Sequence, residues 1–367
     1  MFLNSISVSN FRNILSCELN FNSRVAVFVG QNGQGKTSLL EAIYLLSHSK
    51  SFRTNRSTEL ISKLAGGPTE ATAILDTADG TKNLSYRYQN SKREVFINGN
   101  KVTSASQFYG TAKVIDFTPD DLFLVKGSPS ERRRFIDKIL AIVDKEYLES
   151  LVRYQRALKN RNALLINSKP SQKLQAELAL WEAPLIENGK LVSQKRAQFV
   201  ASLSLEAGRI YSKLAQNNEL FEVNYKSHFT KELDQASEYQ KRYNRDLKLK
   251  TTSFGVHRDE LEINLNTGFG MSAAKEIASQ GQTRSVALAL KLAGIECLKS
   301  ASFGEDPIVL LDDVESELDQ KRRSFLLEYL IGIKSQIFIA TTNRDALPGL
   351  EKIAQFFTVQ EGIIAPM

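Results

Sequence analysis

Eight consecutive residues carry the clearest chemistry in this chain of 367. Gly30-Gln31-Asn32-Gly33-Gln34-Gly35-Lys36-Thr37 has the spacing G-x-x-x-x-G-K-[ST], whose glycines let backbone N–H groups close around phosphate oxygens. Lys36 is placed to reach the β and γ phosphates of a nucleotide, and the Thr37 hydroxyl to ligate Mg²⁺. A second group lies far along the chain, at Ile308-Val309-Leu310-Leu311-Asp312-Asp313. It is an apolar run ending in two carboxylates. Asp312 is the expected Mg²⁺ partner, and Asp313 the base that polarises an attacking water. Taken singly, the first is a glycine turn with an incidental lysine and the second a strand-end turn. In one chain they describe a single metal–nucleotide site. No Asn-Lys-x-Asp run occurs to read guanine, so the expected nucleotide is ATP.

Weaker candidates surround this pair. Ser279-Gln280-Gly281-Gln282 precedes an apolar helical run, and a Ser and a Gly at a helix start suit an anion; read alone, it is a helix cap. Arg12 and Asn13 follow an N-terminal strand and are candidates for contact with the adenine. Arg132-Arg133-Arg134 is either a solvated helix start or a DNA-facing patch. His257-Arg258-Asp259 is either a structural ion pair or a group near the phosphates.

The elements must bring Lys36 and Asp312 together across 276 residues. Arg24–Val29 is a short Val-rich run ending at Gly30, as expected of a buried parallel strand, and Thr37–Leu46 has helical spacing. Residues 70–117 read as an antiparallel meander with tight turns at Asp79-Gly80 and Asn98-Gly99. From Ser130, a candidate cap, helical periodicity runs to Ile166; a second stretch covers 172–216, with Trp181 and Pro184 marking a kink or break. Buried-strand runs then return at 308–311, 337–340 and 356–359. The expected organisation is therefore α/β: a nucleotide head built from both chain ends, residues 1–120 and 251–367, with a mostly helical insertion at 121–250.

Charge supports the insertion. The chain carries +7, yet residues 121–250 alone hold 24 basic and 16 acidic residues, so the rest sums to −1. A concentrated basic surface faces a polyanion or is simply solvated. No run of about 18 apolar residues reads as a membrane span, and the N-terminus lacks the pattern of a signal peptide. Cys17 and Cys297 are far apart and read as buried small residues in a reducing cytoplasm; with three histidines, a zinc site is not expected.

Ser279-Gln280-Gly281-Gln282 resembles the signature segment of ABC-type ATPases, and Ser316-Glu317-Leu318-Asp319 their D-loop. In that superfamily the signature reaches the γ-phosphate held by the other protomer. Thr341-Thr342 stands where transporters carry a switch histidine. Beyond this, the chain resembles the RecF family in an ordered set: Asn10-Phe11-Arg12-Asn13, the phosphate loop, Ser51-Phe52-Arg53-Thr54, Thr118-Pro119-Asp120-Asp121-Leu122, Arg132 to Asp137, Gly255 to Leu261, Ser279 to Gln282, and Leu310 to Asp319. Residues 165–245 match no motif. The resemblance implies an ABC-type P-loop ATPase head with an inserted arm. It implies an ATP-dependent homodimer that binds duplex and gapped DNA, hydrolyses ATP slowly, and works with RecO and RecR to load RecA. It also implies a cytoplasmic, nucleoid-associated protein. The nucleotide-binding subunit of an ABC transporter is the alternative, and a non-catalytic architectural DNA-binding protein a third reading.

Overall fold

The structure, a computed structural model, describes the chain except residues 55, 63–65, 216–218, 230–233, 267–269, 303–304, 314–317, 345–346, 348 and 351, and the side chain of residue 105. It divides into two compact units, Met1–Asp121 with Leu298–Met367, and Leu122–Cys297.

The first unit holds two six-stranded sheets. One is antiparallel throughout, in the order Ile14–Asn20, Phe2–Phe11, Thr69–Thr77, Gly80–Gln89, Lys92–Ile97, Asn100–Lys101. Its strands alternate buried and exposed residues, as a sheet with one wet face requires. Asn98 and Gly99 both have positive φ, the turn geometry whose twist matches the flanking strands.

The second sheet runs Ile363–Pro366, Ala354–Gln360, Val25–Val29, Ile337–Thr341, Ile308–Asp312, Val114–Phe117. The last five strands in this order pair parallel, and only Ile363–Pro366 is antiparallel. Val25–Phe28, Ile308–Asp312 and Ile337–Thr341 are buried at every position, which is why they read as continuous apolar runs. The helix Lys36–His48 touches strands of both sheets and is buried on nearly all sides, so it has no polar stripe. One apolar cluster joins it to both sheets, with the rings of Phe21 and Phe28 in contact with each other and each with those of Phe338 and Phe357.

The second unit is built on an antiparallel pair of long helices, Lys145–Asn167 and Gln172–Ala215, preceded by the helix Pro129–Val143. The strand Leu220–Lys226 packs on the longest helix and heads a three-stranded antiparallel sheet with Glu260–Asn266 and Met271–Ala273. Two buried guanidiniums tie the long helices to the segment 246–256. Arg161 reaches Asp246 at 2.8 Å, Thr252 at 2.9 Å and Glu182 at 3.1 Å. Arg196 makes a forked pair with Asp137 at 2.8 Å and donates to the Val256 carbonyl at 2.7 Å. Such charges are tolerated in the interior because each is paired and hydrogen-bonded.

Several expectations change. The second compact unit runs on to Cys297, past the position 250 expected for the end of the insertion, and the pairing of Leu220–Lys226 along its whole length with Glu260–Asn266 keeps that later strand with the helices. The helix expected from Ser130 starts at Pro129, with Ser128 at the cap position; proline suits the first helical position because its missing N–H has no partner there. Of the kink or break expected at Trp181 and Pro184, the break does not occur: the helix Gln172–Ala215 continues through Pro184, and Asn188 Nδ2 donates to the Pro184 carbonyl at 2.8 Å. Burial pushes the Cys17 thiol up to about 11 and that of Cys297 up to about 12, so both pack as small inert residues. No helix among the described residues is long and apolar enough to cross a membrane.

Candidate nucleotide site

The strand Ile337–Thr341 sits between Val25–Val29 and Ile308–Asp312, and its carbonyls brace both motifs. Thr341 O accepts from Gly30 N at 3.2 Å, and Ala340 O from Asp313 N at 3.2 Å. Motifs 276 residues apart thus leave parallel strands, flanking one shared neighbour, at the same end of one sheet, the usual ligand position in such folds. Gly33 and Gly35 have φ of 81° and 121°, which a side chain rarely adopts, so the loop needs glycine there.

Lys36 is buried, and its ammonium donates to the carbonyls of Gly30 at 2.6 Å and Gln31 at 3.0 Å. Thr37 Oγ1 donates to Asp312 Oδ1 at 2.8 Å. Asp312 is buried, and burial pushes its carboxyl above the usual range, opposed by the Thr37 hydrogen bond and Arg53. A hydroxyl and a desolvated carboxylate oxygen facing one another are the donor pair a hard divalent cation takes, so Thr37 and Asp312 fit Mg²⁺. Asp313, beside them, has φ 51°.

These residues line a cleft of about 550 Å³ with Arg12, Asn13, Asn32, Arg53 and Glu59. Arg12 is anchored rather than loose: its Nε and NH2 donate to Glu41 at 2.9 and 2.7 Å. Glu41 is fully buried in the phosphate-loop helix, also accepts from Ser51, and has Arg53 at 3.7 Å. The Asn13 amide is spent on the loop itself, donating to Gly33 O at 3.2 Å and accepting from Ser38 Oγ at 2.9 Å. Sequence alone assigns no role to Glu41 or Arg53; a lone carboxylate inside an apolar helix is the one signal that marks the first.

Ser279, Gly281 and Gln282 belong to the second unit and are absent from the cleft lining. Ser279 Oγ accepts from Gln282 N at 3.2 Å and Gln282 Oε1 accepts from Ser279 N at 2.8 Å, a reciprocal capping box at the start of the helix Gln280–Ala301. Of the D-loop resemblance, Ser316 and Glu317 lie outside the described residues; Asp319 caps the next helix by accepting from Arg322 N at 2.9 Å.

The arginine run does not form a DNA-facing patch as a unit. Arg132 is buried, pairs with Glu260 at 2.9 Å and donates to the Gly127 carbonyl at 2.9 Å. Arg133 donates to the Asp259 carbonyl at 2.6 Å, and burial lowers its pKa. Only Arg134 is exposed, beside Glu131. His257 also serves the interior: Tyr154 Oη lies 2.6 Å from its Nδ1 and Thr252 O 2.9 Å from its Nε2, and burial lowers its pKa to about 4, so the ring stays neutral. Asp259 pairs with Arg196 and Tyr225 rather than with Arg258.

Residues 2–365 match the family model RecF/RecN/SMC N terminal domain. A DNA replication and repair protein RecF from Streptococcus pyogenes serotype M1 is 37% identical over 371 residues, covering 99% of this chain and 98% of its own. The chain belongs to the RecF family. A RecF from Lactococcus lactis subsp. cremoris is 36% identical, with 99% of each chain covered. A solved structure of the recombination mediator protein RecF with ATPγS in the RecFOR pathway superposes with a TM-score of 0.89 at 32% identity, covering 100% of this chain and 98% of that one. An Smc head domain from Pyrococcus furiosus, at TM-score 0.57 and 18% identity, shares the fold. The fold is that of an ABC-type ATPase head, and the RecF match favours DNA repair over the transporter subunit that the phosphate loop alone left open.

Proposed function

We propose that this RecF-family chain is an ATP-dependent DNA-binding ATPase of recombinational repair and replication-fork maintenance. The observation that carries the reading is the Thr37–Asp312 hydrogen bond inside the phosphate-loop cleft, which joins the two halves of a nucleotide site. The glycine loop and Lys36 hold the ATP phosphates. Thr37 and Asp312 would hold Mg²⁺, which supplies charge neutralisation of the phosphoryl oxygens. Asp313 takes the proton from the attacking water. Arg12 and Asn13, which line the cleft, contact the adenine, with Arg12 fixed by Glu41.

Ser279, Gly281 and Gln282 act on the nucleotide held by a second copy, so ATP drives dimerisation. Duplex DNA near single-strand gaps is the polyanion bound, through exposed cations of the helical segment such as Arg153, Lys173 and Arg209. Structures of RecF with ATP and with ATPγS in the RecFOR pathway support RecO and RecR as partners; RecA loading is the proposed outcome, in a proposed cytoplasmic, nucleoid-associated setting.

The test is ATP hydrolysis measured without DNA and on duplex, single-stranded and gapped DNA, with and without Mg²⁺. Slow, Mg²⁺-dependent turnover that rises on duplex containing a gap is expected. Hydrolysis indifferent to all three DNAs would remove DNA from the cycle.

A further inference from the structure

The phosphate loop is held by a turn that does not line the cleft and by Asn13, which does. The hairpin strand Ala354–Gln360 runs parallel to Val25–Val29, with Thr358 opposite Val29. Gly30 then passes so close that a Cβ there would lie 2.2 Å from Val359 O. Beyond the strand, the turn Glu361–Gly362 grips Gln34 twice: Gly362 N donates to Gln34 O at 2.8 Å, and Glu361 N to Gln34 Oε1 at 2.6 Å. Asn13 grips the loop through Gly33 O and the helix that follows it through Ser38 Oγ. The two grips meet, because a Cβ on Gly362 would stand 2.0 Å from Asn13 O.

We infer that the turn Glu361–Gly362 and Asn13 form a bracket that sets the phosphate loop in its anion-accepting shape before nucleotide arrives, with Gly362 as a positioning residue for ATP. The inference rests on the ATP reading of the cleft. Its physical basis is peptide planarity. The carbonyl and N–H of a trans peptide point opposite ways, so pinning Gln34 O onto Gly362 turns the Gly35 N–H to the other side, where Gly35 lines the cleft. A loop that must find this orientation on binding loses affinity by the share of time it spends elsewhere. Gly362, at φ 81°, meets both demands on it, a left-handed backbone and no side chain against Asn13.

The test compares Gly362→Ala with Gly99→Ala, whose φ of 78° imposes the same backbone strain in a turn with nothing within 4 Å. ATP affinity and KM are measured with Mg²⁺, together with single-turnover hydrolysis at saturating ATP. Gly362→Ala should weaken ATP roughly tenfold to a hundredfold, a preorganisation loss, and keep its saturated single-turnover rate, whereas Gly99→Ala keeps wild-type affinity. A merely structural role would leave KM alone and lower the fraction of active sites, and that result overturns the bracket. If Gly362→Ala does not fold, Gln34→Ala decides, since it removes only the acceptor for Glu361 N; wild-type KM there also overturns the bracket. Wild-type protein that takes up no ATP would overturn the nucleotide reading and the bracket with it. Wild-type affinity in Gly362→Ala overturns the bracket alone.

Discussion

Lys36→Met should abolish ATP binding and, with it, ATP-driven dimerisation. Lys36 is 6% exposed, and its ammonium is already desolvated and held by the Gly30 and Gln31 carbonyls at the mouth of the loop. That charge is therefore in place, with little further dehydration needed, when phosphates enter. Methionine fills similar space with no charge, leaving the β and γ phosphates to face a low-dielectric pocket unbalanced. Losing one partner of a desolvated, hydrogen-bonded charge pair costs about 3 kcal/mol or more, over a hundredfold in affinity. Calorimetric titration with ATP and sedimentation at saturating ATP read the two effects. Dimerisation like that of the wild type would remove Lys36 from this role.

Asp313→Asn should bind ATP yet hydrolyse it at about a hundredth of the wild-type rate or less, the scale expected for a lost general base. Asp313 sits at φ 51°, a region that Asn tolerates better than most residues, and its backbone bond to Ala340 O needs no side chain. The amide keeps the shape but cannot take a proton. The variant should therefore accumulate as an ATP-bound dimer on DNA, seen by quench-flow hydrolysis and by gel shift. Loss of ATP binding without a trapped dimer would make Asp313 a structural or metal-ligating group.

The core of the site is legible in the sequence because its determinants are local. A glycine loop after an apolar strand, and carboxylates after another, keep their meaning wherever the strands lie, and the parallel sheet then sets the two strand ends together. Residues whose roles depend on distant partners are not legible. Arg132-Arg133-Arg134 has the composition of a solvated patch, yet Arg132 finds Glu260 at a separation of 128 residues and is buried. Arg12 meets Glu41 across 29 residues, and no helical spacing announces that pairing. The second unit continues past 250 because a strand pairing, invisible in composition, holds residues 260–266 against 220–226. Gly362 reads in sequence as one more turn glycine; only the approach of Asn13 and Gln34 gives it work.

A nucleotide site completed by a second copy, with Lys36 from one chain and Ser279 from the other, is the core of the proposed mechanism. Mixing Lys36→Ala with Ser279→Arg, each inactive alone, probes it without intermediaries. Twofold symmetry places both defects of the heterodimer in one composite site and leaves the other wild type. Random mixing makes half the dimers mixed, so ATPase should recover to roughly a quarter of wild type when the sites work independently. Heterodimer formation and ATP occupancy are followed in the same samples. Formed heterodimers with one occupied, intact site and no single-turnover hydrolysis would contradict the shared site.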